Sequence, residues 1–78
     1  MYLEIVTPEE KLFTGEVKLV KLPGSKGSFE ILRNHAPIIS TLGSGIIKLI
    51  TLEGKELSFE IKGGLVEGSN NKLIVLPE

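Results

Sequence analysis

Cysteine, tryptophan and aspartate are missing from this 78-residue sequence, and histidine occurs once. Without cysteine there is no disulfide staple, no thiolate metal ligand and no redox pair. Without aspartate and cysteine neither a Ser-His-Asp nor a Cys-His arrangement can be assembled, and only a glutamate is left to orient His35. A metal site needs several ligands at a recognisable spacing, which one histidine among scattered glutamates does not supply. Aromatic residues make up 5% of the chain and the formal net charge is −1. Base-stacking platforms and phosphate neutralisation both need more than this, so nucleic acid is not an expected partner. No apolar run approaches the roughly 20 residues of a bilayer-spanning helix. Met1 leads straight into Tyr2 to Val6, followed by proline and charges, so no signal peptide is expected. These absences together point to a soluble cytoplasmic domain without catalytic machinery.

The residues that are present suit one small domain over 1–78, 41% apolar and 24% charged, which is the balance of a folded chain. At this size about 60% of the unfolded chain's surface can be buried, so stability is expected to be modest. The dominant period is two, the mark of strands with one buried face. Leu57, Phe59 and Ile61 alternate with Glu56, Ser58, Glu60 and Lys62. Tyr2 to Val6 reads as a strand with Leu3 and Ile5 on one side. Between Glu16 and Leu22 the alternation begins as Val17 and Leu19, then slips to Val20 and Leu22, which predicts a β-bulge or a change of sheet. Gly45 to Leu52 and Asn71 to Leu76 are apolar on both faces, so a second layer or a partner is expected over each.

Turn signals agree with that reading. Pro23-Gly24, Gly43 to Gly45, Glu53-Gly54, Gly63-Gly64 and Ser69 to Asn71 cut the chain into short segments, as in a sandwich or barrel. Thr7, Pro8, Glu9 and Glu10 form a capping-box pattern. No amphipathic stripe follows before Thr14-Gly15, so a turn is expected there and the fold class is all-β.

Several residues invite a functional reading. The Glu9-Glu10 pair is read as solvated turn charge rather than as an acid–base pair. His35, in Asn34-His35-Ala36-Pro37, admits three roles: a general base or titrating switch, a structural turn residue, or an interface contact. Gly24 to Gly27 lacks the spacing of a phosphate loop and opens a strand instead of a helix. Lys55 sits at a probable hairpin tip after Gly54, where biotinyl- and lipoyl-like carrier domains display a modified lysine. That gives the alternative function, although the flanking residues differ from both carrier types.

The order of segments is similar to that of the epsilon subunit of F-type ATP synthases. The resemblance rests on Leu3 to Glu9, Leu12 to Val17, Leu22 to Gly27 and Phe29 to Pro37, then Leu42 to Ile47, Gly63 to Glu67 and Asn71 to Leu76. It covers essentially the whole chain and implies a ten-stranded β-sandwich of two antiparallel sheets, the amino-terminal domain of that subunit. It further implies a non-catalytic role in the central stalk, with no cofactor and no small-molecule substrate. The domain would pack on the gamma subunit and touch the polar loops of the membrane c-ring, peripheral to the cytoplasmic face of the bacterial inner membrane. Carried over by position, Gly24, Ser25, Lys26, Gly27, Ser28 and Glu30 fall on the c-ring side, and Thr7, His35, Ser40 and Val66 fall where the family contacts its rotor partners. Several members carry a carboxylate at the position of Ser28, which meets basic c-ring loops, and here the nearest acid is Glu30, where the family often has glycine; Arg33 stands where proline is common and could pair with an acidic rotor group or be a solvated turn residue. The two carboxy-terminal helices of many epsilon subunits do not follow Val75 to Glu78, so neither helical inhibition nor ATP binding through them is expected.

Overall fold

The computed structural model describes residues 1–78 as eight strands without a helix. They are β1 (Tyr2–Val6), β2 (Lys11–Gly24), β3 (Gly27–Leu32), β4 (Ile38–Leu42), β5 (Gly45–Thr51), β6 (Glu56–Ile61), β7 (Gly64–Ser69) and β8 (Lys72–Pro77). The hydrogen-bonded order is β1-β8-β7-β4-β2-β5-β6, with β3 on β2 and a further pairing of β1 with β2. Five strands (β1, β8, β7, β4 and β2) therefore form a closed circuit, and β3, β5 and β6 extend from β2.

This corrects the expectation of ten strands in two antiparallel sheets. There are eight strands in one mixed sheet, because β1 runs parallel to β8. The long strand β2 is the physical reason. Its 14 residues would reach about 43 Å if straight at ~3.3 Å per residue, whereas the longest dimension of the molecule is 27 Å. The strand must bend, and it passes from β1 to β5, β3 and β4 without breaking in two. Its register against β5 shifts between Val17 and Leu19, where the sequence alternation slips. On either side of this bulge Val17, Val20 and Leu22 are all fully buried.

The core is one cluster of 14 buried apolar residues, with Leu3, Ile5, Val17, Val20, Leu22, Ile47, Leu49, Val66, Leu73 and Val75 shut off from solvent. No polar or charged residue is buried. Burial of this kind is the dominant favourable term in folding, at roughly 1.5–3 kcal/mol for each fully buried aliphatic side chain. Leu57, Phe59 and Ile61 face the core as the alternation requires, and the Phe59 ring lies 6.4 Å from that of Phe13 at a tilt of 59°.

Local chemistry fixes the turns. At Thr7 to Glu10 the Thr7 amide donates to the Glu10 carbonyl (2.8 Å) and the Glu10 amide donates to Thr7 Oγ1 (3.1 Å). The capping-box residues thus close the β1–β2 hairpin without starting a helix. Asn70 and Asn71 both have positive φ, 52° and 61°, as a two-residue type I′ hairpin requires between β7 and β8.

On β5 and β8 one apolar face points into the core and the other outward. Ile46 on β5 and Leu76 on β8 are exposed, so no second layer of this chain covers those outer faces. No helix of the protein is long and apolar enough to cross a membrane.

Candidate functional site

The β2–β3 hairpin turns through Ser25 and Lys26, with Gly24 and Gly27 paired across its neck. Gly24 has to be glycine. A Cβ there would sit 2.5 Å from the Gly27 carbonyl oxygen and 2.7 Å from Phe29 Cε1. Three hydrogen bonds tie this end of the hairpin to β4 and to Gly43 just after it. The Ser25 amide donates to the Thr41 carbonyl (3.1 Å), the Gly43 amide donates to the Pro23 carbonyl (2.7 Å), and the Ser25 hydroxyl donates to Thr41 Oγ1 (2.8 Å). An open notch of about 370 Å³ lies between tip and strand, lined by Gly24 to Gly27, Phe29 and Ile39 to Thr41. It unites Gly24, Ser25, Lys26 and Gly27, which the resemblance puts on the c-ring side, with Ser40, which it puts among the contacts to rotor partners.

Ser28 and Glu30 do not line this notch. They alternate with Phe29 on β3 and stand opposite Pro23 and Lys21 on β2. Glu30 lines a second depression together with Arg33, His35 and Pro37. Phe29 is the wall common to both.

His35 is half-buried beside β7. Its Nδ1 is 2.9 Å from the Ala36 carbonyl oxygen, so that nitrogen is the protonated donor, and its Nε2 is buried without a partner. No carboxylate bonds either ring nitrogen, so nothing orients the ring as a general base. The ring packs on Gly68, where an added Cβ would meet His35 Cε1 at 3.0 Å and run into Leu73 Cδ2. The preceding Asn34, with φ 61°, donates its amide to Asn71 Oδ1 at 2.9 Å and pins the turn to the β7–β8 hairpin. The structure therefore gives His35 a turn role, on a part of the surface next to β4.

Thr7 sits apart in the β1–β2 loop and lines neither depression. Val66 needs a correction. Its side chain is fully buried in the core, opposite Ser40 and Val75, and offers no surface to a partner. The exposed apolar residue of this neighbourhood is Ile39, 74% exposed, which sequence reasoning left out. Ile38-Ile39 shows both residues as apolar, and only the pairing of Ile39 with Glu67 identifies the outward one.

Lys55 is exposed at the β5–β6 hairpin as expected, and its amide donates to Thr51 Oγ1 at 3.0 Å. Nothing around it distinguishes it from the other exposed lysines. No three His, Cys, Asp or Glu side chains converge.

Comparison with known proteins gives concordant results. The family model described as ATP synthase, Delta/Epsilon chain, beta-sandwich domain matches residues 1–78. The ATP synthase epsilon chain of Chlorobium limicola is 46% identical over 76 residues, spanning 97% of this chain and 86% of that protein. The fold is similar to a chain in the Euglena gracilis mitochondrial ATP synthase OSCP/F1/c-ring structure, with a TM-score of 0.89 at 19% identity. It is also similar to one in the Tetrahymena thermophila mitochondrial ATP synthase central stalk/c-ring structure, with a TM-score of 0.82 at 16% identity. The match covers 96% and 99% of this chain but 48% and 62% of those chains, and at such identities it speaks to the fold alone.

Proposed function

The chain belongs to the delta/epsilon chain β-sandwich family of ATP synthases, and from that membership we propose that it is a non-catalytic central-stalk subunit of an F-type ATP synthase. In this role it joins the gamma subunit to the membrane c-ring, so that ion flow and ATP synthesis are coupled through one rotating body. It binds no small-molecule substrate and no cofactor. It is peripheral to the cytoplasmic face of the bacterial inner membrane.

The observation that carries this reading is the outer face of β4, β7 and β8. Register aligns Ile39 with Glu67 and Ile74 in one row, and Thr41 with Leu65 and Leu76 in the next. The face is largely apolar, with Ile39 and Leu76 among the exposed large hydrophobic residues of the chain. Contiguous apolar surface of this sort marks an interaction site. A rotor joint must resist shear, which a desolvated apolar centre with a polar rim does better than isolated ion pairs. The gamma subunit is assigned to this face, and the c-ring to the neighbouring β2–β3 tip.

The test is recovery of partners. The tagged chain is expressed in its native organism and isolated from detergent-solubilised membranes, and the bound proteins are identified by mass spectrometry. Gamma and c subunits in stoichiometric amounts are expected. A folded chain recovered without any ATP synthase subunit would contradict the proposal.

A further inference from the structure

Two strands of the sheet pair with a single neighbour, β3 with β2 and β6 with β5. Their free edges differ. The β6 edge carries Glu56 and Glu60, and no depression lies against it; charge on an edge discourages a further strand. The β3 edge is accompanied from Phe29 to Leu32 by an open depression of about 370 Å³, whose remaining lining is Arg33 and His35 to Ile38.

The hairpin decides which backbone groups are left over on β3. Gly24 and Gly27 close a two-residue turn and exchange both hydrogen bonds, and from there bonded and unbonded pairs alternate. Phe29 and Ile31 therefore bond to β2, whereas the N–H and C=O of Ser28, Glu30 and Leu32 point away from it. The Pro23 carbonyl agrees: opposite Ser28, it turns from β3 to accept from the Gly43 amide. No strand stands beyond β3, and no turn or side-chain hydrogen bond reaches the backbone of these three residues. At the rim Glu30 and Arg33 are exposed, and neither takes part in an ion pair.

We propose that the β3 edge is a strand-addition site for an extended segment of a partner protein. The segment runs antiparallel to β3, the more stable pairing, and bonds to the backbone of Ser28, Glu30 and Leu32. An apolar side chain enters the depression against Phe29 and Ile38. A cation lies beside Glu30 and a carboxylate beside Arg33, so the two rim charges fix the direction and register that the backbone bonds leave open. A second copy of this chain fits poorly. The antiparallel register that uses all three free residues sets Glu30 against Glu30 of the copy, and like charges directly opposite are destabilising. The site lies apart from the outer face of β4, β7 and β8, and it does not rest on the stalk reading.

The test uses the full chain, isotopically labelled for NMR, and the blocked peptide Thr-Glu-Thr-Val-Lys-Val-Thr. In the antiparallel register its lysine opposes Glu30, its valines oppose Phe29 and Ile31, and its glutamate falls at Arg33. Titration is followed by amide shifts and hydrogen exchange. New protection is expected at the Ser28, Glu30 and Leu32 amides, those of Phe29 and Ile31 being protected by β2 already. Methylating the two peptide amides that face β3 should weaken binding about tenfold or more. Glu30→Pro should do the same, because it removes an edge N–H that β2 does not use, and Glu30→Gln should weaken binding only about two- to threefold. If Glu30→Pro fails to fold, the methylated peptide reads the same bonds from the other side. No binding of the unmethylated peptide, equal binding of the methylated one, or shifts confined to other strands would overturn the proposal. Protection of these amides that grows with chain concentration, without peptide, would overturn the assignment to a partner protein in favour of a second copy.

Discussion

Val66 and Ile39 lie on neighbouring strands, one pairing step apart, and should respond oppositely to truncation. Val66, opposite Ser40, is fully buried, whereas Ile39, opposite Glu67, is 74% exposed. Val66→Ala removes two methyl groups from the core, about 1.6 kcal/mol of transfer free energy at ~0.8 per group. The closed sheet limits collapse around the void, and the cavity raises the cost to about 2–3 kcal/mol. In a domain of this size each kcal/mol lowers Tm by about 4–8 °C, so a fall of roughly 10–20 °C is expected. Ile39→Ala forfeits little burial and should cost less than about 0.5 kcal/mol, a shift below about 4 °C. Thermal unfolding followed by circular dichroism reads both. Partner binding should show the reverse order: Ile39→Ala weakens association with the gamma subunit, and folded Val66→Ala does not. If Ile39→Ala destabilises as much as Val66→Ala, the inside–outside assignment of β4 and β7 is wrong. If Val66→Ala is thermally silent, the core does not pack as described.

Two further changes test the turns. Gly24→Ala sets a methyl group against the Gly27 carbonyl and the Phe29 ring; it should cost about 1–3 kcal/mol and, by urea unfolding, lower the midpoint without altering the slope. A neutral Gly24→Ala would mean that the hairpin neck is looser than the structure has it. Asn71→Ala loses both the acceptor for the Asn34 amide and a residue tolerant of positive φ, a combined cost of about 2 kcal/mol, whereas Asn71→Gly keeps the backbone and loses only the hydrogen bond, about 1 kcal/mol. Equal effects of the two would show that the left-handed conformation contributes nothing.

Much of this fold is legible in local sequence. The strict alternation of Glu56 to Lys62 states which side of β6 is buried, and the slip after Val17 marks the bulge in β2. Paired asparagines at 70 and 71 are what a type I′ turn demands. The closure of the sheet was not legible. It depends on β1 pairing in parallel with β8, a contact between the two ends of the chain that no turn residue encodes. Adjacent apolar pairs were also ambiguous. In Leu65-Val66 and Ile38-Ile39 period two fixes that one residue points inward but does not say which; the choice falls to the register with the neighbouring strand. Register puts Val66, a partner contact by the family resemblance, in the core, and turns Ile39 outward. The tip residues Gly24 to Gly27 came from the resemblance to a family, and the structure adds their convergence with Ser40, which lies on another strand.

The most direct test of the stalk reading exploits the absence of cysteine. A single cysteine is placed at Ser28, an exposed position beside the β2–β3 tip, and in a second variant at Glu53, exposed in the loop between β5 and β6. ATP synthase is then assembled with each variant in native membranes and treated with a short cysteine-to-lysine or photoactivatable cross-linker. The account predicts a cross-link from position 28 to the c subunit, and none to that subunit from position 53. Cross-linking to the c subunit from position 53 alone, or from neither position in an assembled enzyme, would contradict it.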